Sequence, residues 1–220
     1  MRIGFISKGS LRAFKDGYDG EKADIFVFGF EGMGEVSYEK ELKGESGFFE
    51  DAALLSKETK SVVVCGCITD TCGHKRKSVV VAQNGRLSGV SDMLNVVDGE
   101  CGAGAALRVY DTRLGRMGVA VAEDLYFPEV IKSLTACGSE FIVCPFGKIT
   151  DSLQSVLLRA SAYTYGVPLL FCGKGYCMLA TSNGSISFAS PQSPVYTDFE
   201  NVKEYHLVET RRRGVFRSST

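Results

Sequence analysis

Short apolar runs recur along the chain, and most of them do not alternate with polar residues. They are rich in Val, Ile and Phe, the residue types that favour β-strands. A strand that is apolar at consecutive positions is typical of a sheet covered on both faces, by helices or by a second sheet. The pattern predicts buried strands over 2–6, 24–30, 61–68, 78–83, 107–111, 117–122, 141–146 and 168–173.

Three longer segments carry helical spacing or the signals that begin and end a helix. Pro128 occupies the first helical position of one segment, and Gly138 follows its last residue. Asp151 is the predicted N-cap of another helix, which should end at Gly166. The predicted helices cover 46–59, 127–138 and 151–166.

Two strand-like runs near the end of the chain, 176–181 and 185–190, flank the sequence Ser-Asn-Gly. This combination favours a β-hairpin. The sequence contains no recognisable linker, repeat or low-complexity tract. We therefore predict that residues 1–220 form one α/β domain, with more strands than a simple βαβ fold requires.

The composition is that of an ordinary soluble globular protein, with 45% apolar and 23% charged residues. A net charge of −1 and a pI near 6.2 give no general attraction to nucleic acid or to an acidic membrane. We interpret the basic run at 211–213 as a solvated segment. No apolar stretch approaches the roughly 20 residues of a membrane helix, and residues 1–10 do not resemble a signal peptide. These features predict a cytoplasmic protein with reduced cysteines and no nucleic-acid or membrane partner.

One cluster holds residue types that bind metals: Cys65, Cys67, Cys72 and His74. Thiolates and imidazoles bind zinc, but no second pair follows at zinc-finger spacing. We expect Cys65 and Cys67 to lie on a strand with their side chains on opposite faces. The glycine-rich segments of the chain do not meet the dinucleotide-binding pattern. We therefore predict neither a metal nor a cofactor.

The segment GRMGVAVAEDLYFPE (115–129) reads as a buried strand that stops at an acidic pair and continues into a helix. The carboxyl end of a strand beside a helix start is where α/β enzymes place reacting groups. Here that corner carries Ala122, Glu123 and Asp124. The corner thus has the location of an active site, but alanine offers no nucleophile.

The larger unit 107–146 runs as strand, tight turn, strand, acidic corner, helix and strand, and it resembles the nitrilase, or carbon-nitrogen hydrolase, superfamily. Segments 22–32, 78–89, 157–175 and 179–199 extend the resemblance over nearly the whole chain. The matching residues of the central unit are Tyr110, Asp111, Thr112, Gly115, Gly118, Asp124, Phe127, Pro128, Glu129, Gly138 and Pro145.

The resemblance implies a four-layer α-β-β-α sandwich, usually paired through its helix faces, and hence a homodimer or higher homo-oligomer. It also implies hydrolysis or condensation of non-peptide C–N bonds by a Glu–Lys–Cys triad. In such a triad the thiolate attacks a nitrile or amide carbon, the glutamate moves protons, and the lysine stabilises the developing charge. A small amide, nitrile or related molecule is the expected ligand.

Followed position by position, however, the resemblance does not supply the whole triad. The cysteine position falls on Ala122, and the lysine position falls on Met93, or on Asp92 after a one-residue shift. No lysine occurs between Lys77 and Lys132, so the absence of the lysine does not depend on the register.

The acidic positions leave two alternatives open. Phe30 aligns best with the first glutamate, but Glu31 is the next residue, and Glu100 lies near the place of a second, supporting acid. Around these positions we expect a pocket lined by Phe30, Glu123, Asp124, Phe127, Phe146 and Cys172.

Three functions are compatible with this pattern. The first is a catalytically impaired relative that binds a ligand or a partner in the old pocket. The second is an active hydrolase whose nucleophile has moved to Cys144 or Cys172, with Glu31 or Glu100 as base. The third is a structural subunit of a heteromer.

Overall fold

A computed structural model describes residues 1–97, 99–149 and 152–200, and within these ranges the chain forms two β-sheets with helices on their outer faces. The predicted N-cap Asp151 and the basic run 211–213 lie outside the described residues. The strands are β1 (Arg2–Ile6), β2 (Ile25–Phe28), β3 (Glu35–Ser37), β4 (Val62–Thr71), β5 (His74–Gln83), β6 (Arg86–Asp92), β7 (Val109–Thr112), β8 (Gly115–Val119), β9 (Phe141–Lys148), β10 (Leu169–Lys174), β11 (Tyr176–Ala180), β12 (Ile186–Ser190) and β13 (Val195–Asp198).

The helices pack on these sheets from outside. They are α1 (Leu11–Asp16), α2 (Tyr38–Lys43), α3 (Phe48–Thr59), α4 (Pro128–Ala136) and α5 (Leu153–Tyr165), and a short 3-10 turn covers Ala122–Tyr126. As predicted, α4 begins at Pro128 and is followed by Gly138 with a φ of +84°. None of the helices in the described part of the chain is long and apolar enough to span a bilayer.

The two sheets share one plan, in which parallel strands occupy the centre. The first has the order β13-β1-β2-β4-β5-β6 with β3 beside β4, and the second has the order β12-β11-β10-β9-β8-β7. β1, β2 and β4 are parallel neighbours, as are β8, β9 and β10. Hairpins then extend each sheet, including β11–β12 around the predicted Ser-Asn-Gly turn.

Three buried clusters define the layers, because alternate residues of a strand face opposite sides of its sheet. The inter-sheet cluster includes Ile3, Phe5, Val27, Val64, Val79, Val81, Met93, Val119, Ala122, Val143 and Cys172. The α4–α5 cluster, under those helices, includes Ile142, Cys144, Phe146, Leu158 and Ala162. The α1–α3 cluster includes Leu11, Phe26, Phe28, Leu55, Cys65 and Cys67. This arrangement confirms the predicted four-layer α-β-β-α sandwich.

Some local expectations were wrong or incomplete. Cys65 and Cys67 lie in the same cluster, not on opposite faces, because residues two positions apart on a strand share a face. The sequence pattern also missed α1, α2, β3 and β13, each three to six residues long. Elements this short contain at most one or two turns or alternations, too few to give a periodic signal.

Candidate active site at the Ala122 corner

The backbone at Ala122 adopts the left-handed conformation, which side-chain-bearing residues rarely occupy. Its φ is +49°, and the residue is 1% exposed at the start of the 3-10 turn that follows β8. Such a conformation costs on the order of 1–3 kcal/mol and persists where the surrounding structure enforces it, often at functional sites. The chain therefore keeps a strained strand-to-helix corner at the position where the resemblance places a cysteine.

The three positions assigned to the triad are occupied by apolar side chains in one region of the molecule. Ala122 and Met93 belong to the inter-sheet cluster, and Met93 is fully buried. Phe30 is half-buried and packs against the same cluster. The structure thus brings Phe30, Met93 and Ala122 to one layer, with no charge on any of the three.

The alternative acidic residues lie elsewhere. The Glu31 side chain is 42% exposed and forms an ion pair with Lys174 at the surface. Glu100 is exposed in the segment between β6 and β7. The structure therefore directs Phe30, not Glu31, towards the interior, which favours Phe30 as the residue at the position of the first glutamate.

Asp124 connects the corner to the segment that carries Met93. Its fully buried carboxylate accepts hydrogen bonds from the backbone N–H of Leu94 at 3.0 Å and of Asn95 at 3.0 Å, and from Asn95 Nδ2 at 2.8 Å. Burial raises the pKa of Asp124, and these donated hydrogen bonds oppose that shift. Asp124 therefore acts as a positioning residue that ties the turn after β8 to the segment directly following Met93.

We expect Asp124→Ala to lower the free energy of unfolding by about 2 kcal/mol, because the donors of Leu94 and Asn95 lose their acceptor in a partly buried segment. The control is Asp111→Ala, whose carboxylate is 88% exposed in a surface pair with Arg116. Asp111→Ala should change the free energy of unfolding by no more than about 0.5 kcal/mol. Urea unfolding of the three proteins gives the comparison, and equal effects of the two variants would contradict the positioning role.

A charged pair, missed by the sequence reading, lies next to the corner. Lys77 Nζ donates to Glu123 Oε1 at 3.0 Å, and the two side chains are only 17% and 18% exposed. The second carboxylate oxygen, Glu123 Oε2, is buried and has no hydrogen-bond partner in the structure. Lys77 lies on β5, far in sequence from the expected lysine position. Because alternate residues of a strand share a face, the buried Val79 and Val81 could have indicated that the Lys77 side chain points between the sheets.

The remaining expected pocket residues are not all on the Ala122 side of the second sheet. Cys172 lies in the inter-sheet cluster, whereas Cys144, Phe146 and Phe127 lie in or against the α4–α5 cluster. On β9, Phe141 and Val143 face the first sheet. Because side chains alternate along a strand, Ile142, Cys144 and Phe146 face the helices. Cys144, Phe127 and Phe146 therefore pack beneath α4 and α5 and do not line the inter-sheet side of the corner.

Both candidate thiols are inaccessible. Cys144 and Cys172 are fully buried, and desolvation raises the pKa of each thiol far above its ordinary value. Cys144 Sγ lies 3.9 Å from the Ala122 carbonyl oxygen, which is a backbone contact on the helix side of the sheet. A thiol must ionise to act as a nucleophile, so these environments disfavour both residues.

The described residues contain no group of three or more His, Cys, Asp or Glu side chains arranged to hold a metal ion. In the 65–74 segment, Cys65 and Cys67 are buried, while Cys72 and His74 are exposed. Cys72 Sγ donates to the carboxylate of Glu39 at the surface. These four side chains therefore do not converge on one point.

Comparisons with known proteins find relatives that share this fold. The deaminated glutathione amidase of Yersinia enterocolitica is 44% identical over 62 residues, which cover 27% of this chain and 22% of that protein. A cysteine-to-alanine mutant of a Nesterenkonia amidase from the nitrilase superfamily superimposes with a TM-score of 0.75 at 16% identity, over 89% of this chain and 88% of that chain. The same type of mutant in complex with butyramide superimposes with a TM-score of 0.72 at 17% identity, over 89% of this chain and 88% of that chain.

A further comparison concerns the family as a whole. The model of the carbon-nitrogen hydrolase family matches residues 24–195, which include strands β2 to β12 and the Ala122 corner. With its two-sheet core, its strained corner after β8 and this match over most of its length, the chain belongs to the carbon-nitrogen hydrolase family.

Proposed function

We propose that this protein is a catalytically impaired carbon-nitrogen hydrolase relative that binds a small amide or related ligand at the Ala122 corner, as a ligand-binding or partner subunit. One observation carries the proposal: Phe30, Met93 and Ala122 stand where the resemblance implies glutamate, lysine and cysteine, and all three lie in or against the inter-sheet cluster. Without a thiol at this corner, no covalent intermediate forms there. Loss of a nucleophile from a unit of this kind removes most of its rate.

The ligand class follows from the solved relative that holds butyramide with alanine in place of a cysteine. The experiment is to titrate the protein with butyramide by NMR and, in parallel, to measure ammonia release. Binding without ammonia release supports the proposal. Ammonia release above a heat-inactivated sample, or failure to bind butyramide and related amides or nitriles, argues against it. Copurification with another nitrilase-like chain would instead support a structural role in a heteromer.

The alternative of a relocated nucleophile predicts a different outcome with thiol reagents. In the native protein we expect iodoacetamide to modify the exposed Cys72 and Cys137 and to leave Cys144 and Cys172 unmodified, because the latter are fully buried with raised pKa values. Peptide mass spectrometry with and without urea reads the result. Selective labelling of Cys144 or Cys172 by an amide- or nitrile-bearing probe under native conditions would revive the relocated-nucleophile function.

None of the eight cysteines forms a disulfide in the structure, and all eight lie within the described residues. Two of them, Cys72 and Cys137, are exposed. Free exposed thiols persist in a reducing compartment. Together with the expectations from the sequence, this supports a cytoplasmic location.

We further propose that two copies pair through α5. This helix exposes an apolar stripe, with Leu153 at 45%, Val156 at 57% and Tyr163 at 44% exposure, and Ala160 lies between them on the same face. Residues at i, i+3, i+7 and i+10 line one side of a helix. A contiguous apolar stripe on an outer helix is typical of a subunit interface, and a second copy offers an identical surface.

Val156→Glu is expected to shift the protein from dimer to monomer, because two carboxylates would meet near the twofold axis of such an interface. The control is Leu42→Glu, which changes an even more exposed residue, at 86%, on α2. Sedimentation velocity measures both variants and the natural protein. A natural protein that is monomeric at micromolar concentration, or a dimer that is unaffected by Val156→Glu, would exclude α5 as the interface.

A further inference from the structure

The direction of the Lys77 side chain follows from strand register. In the antiparallel β5–β6 pair Ser78 lies opposite Asp92, so Lys77 lies opposite Met93, and the Met93 N–H donates to the Lys77 carbonyl at 2.8 Å. Side chains of directly opposed residues project from the same face of a sheet. Since Met93 is buried in the inter-sheet cluster, Lys77 projects into the inter-sheet side as well.

The Lys77 ammonium crosses from the first sheet to the corner of the second. It meets Glu123, the residue that directly follows Ala122 in the chain. Positions 30 and 93 carry no charge, but two other residues near the corner do. Lys77, which lies opposite Met93 on the adjacent strand, supplies an ammonium, and Glu123, the residue after Ala122, supplies a carboxylate. The two sites of charge converge on the same corner.

Only one of the two carboxylate oxygens of Glu123 accepts a hydrogen bond. Oε1 accepts from Lys77, whereas Oε2 is buried without a partner. A buried carboxylate oxygen without a donor is unfavourable, and in native proteins such atoms are rare. An N–H group supplied by a ligand would complete it, and a primary amide carries such a group beside a carbonyl oxygen that can accept from an ammonium.

We propose that Lys77 and Glu123 form a relocated polar site for a primary amide at the Ala122 corner, with the ammonium facing the amide carbonyl and Glu123 Oε2 accepting an amide N–H. This inference rests on the proposed function, since it specifies how the amide is held. Butyramide is the probe, and binding involves no covalent step.

The first test measures the charge at the corner without any ligand. In Ala122→Cys, the pKa of the introduced thiol is read from its ¹³Cβ chemical shift. Adding Lys77→Met should raise that pKa by at least about one unit, because a stabilising ammonium is lost while Glu123 remains. Adding Lys75→Met, which removes an exposed lysine of the same strand that pairs with Glu35, should leave it unchanged. An unchanged pKa after Lys77→Met would overturn the proposal whether or not butyramide binds.

The second test measures amide affinity. Lys77→Met/Glu123→Leu replaces both members of the pair with apolar groups of similar length, so that neither charge is left facing an apolar partner. We expect it to weaken butyramide binding at least about tenfold, the equivalent of one lost hydrogen bond to a charged group. The matched control, Lys75→Met/Glu35→Leu, removes the surface pair and should bind as the natural protein does. Equal affinities of the two double variants would overturn the assignment of Lys77 and Glu123 to the amide site.

The two tests also distinguish failure of this inference from failure of the proposed function. If the thiol pKa responds to Lys77→Met but the natural protein binds no amide, the Lys77 ammonium faces the corner, but the proposed function fails and the amide site fails with it. If butyramide binds but the Lys77–Glu123 variant binds it equally, the proposed function survives and this inference fails.

Discussion

Met93→Lys is expected to lower the free energy of unfolding by about 3–5 kcal/mol, because it places an ammonium in the fully buried inter-sheet cluster. Adding Phe30→Glu should restore about 2 kcal/mol of that loss. The two positions are those at which the resemblance implies a neighbouring lysine and glutamate, so a carboxylate at position 30 would pair with the new ammonium. Urea unfolding of the natural protein, both single variants and the double variant gives the coupling energy directly.

A matched control comes from Met117, another fully buried methionine of the inter-sheet cluster, five residues before Ala122 on β8. Met117→Lys should destabilise the protein by a comparable amount, but Phe30→Glu should not rescue it. If the coupling between positions 30 and 93 is zero, Phe30 does not occupy the glutamate position. If Phe30→Glu rescues both lysines equally, the effect is a general one of net charge.

Much of the fold could be predicted from the sequence because the strands at its centre are parallel and buried on both faces. Strands such as Ile25–Phe28 and Phe141–Lys148 can be recognised in the sequence by their runs of consecutive apolar residues. The same property hid which side chains face which layer. In a strand that is apolar on both faces, nothing in the sequence says whether Cys144 or Val143 points between the sheets. The structure places Val143 there and Cys144 beneath the helices.

The candidate site was predictable only where it follows the chain. Ala122, Glu123 and Asp124 are consecutive, and the proline-started helix after them marks the corner. Lys77 could not be found in the same way, because it reaches the corner through the pairing of β5 with β6 and through the packing of one sheet on the other. A search for a lysine at one expected position in the sequence therefore overlooks a lysine on the adjacent strand whose side chain reaches the same corner.

The backbone at Ala122 and the side chains around it have separate consequences. The left-handed conformation at Ala122 does not need a thiol, since Asp124 and the segment it binds hold the turn after β8 in place. The mechanism that the resemblance implies does need the thiol. The proposed loss of the reacting groups is therefore compatible with retention of the corner, and this makes reconstruction of the site an informative experiment.

Phe30→Glu/Met93→Lys/Ala122→Cys is expected to release ammonia from butyramide at a rate at least about 100-fold above the background measured with the natural protein, because it brings a nucleophile, a base and an ammonium to one corner. The thiolate would attack the amide carbon, the C–N bond would break as the nitrogen takes a proton from the glutamic acid, and water would then cleave the thioester to butyrate. Intact-protein mass spectrometry should detect one butyryl group on the variant during turnover.

The control retains everything except the nucleophile. Phe30→Glu/Met93→Lys with Ala122 unchanged has the same added charges and the same burden on stability, so it should fold comparably, bind the amide and form no acyl adduct. Activity in this control would mean that another group performs the attack. A folded triple variant with neither ammonia release nor an adduct would show that residue 122 does not occupy the nucleophile position, because the strained backbone would then be presenting the new thiol away from the ligand.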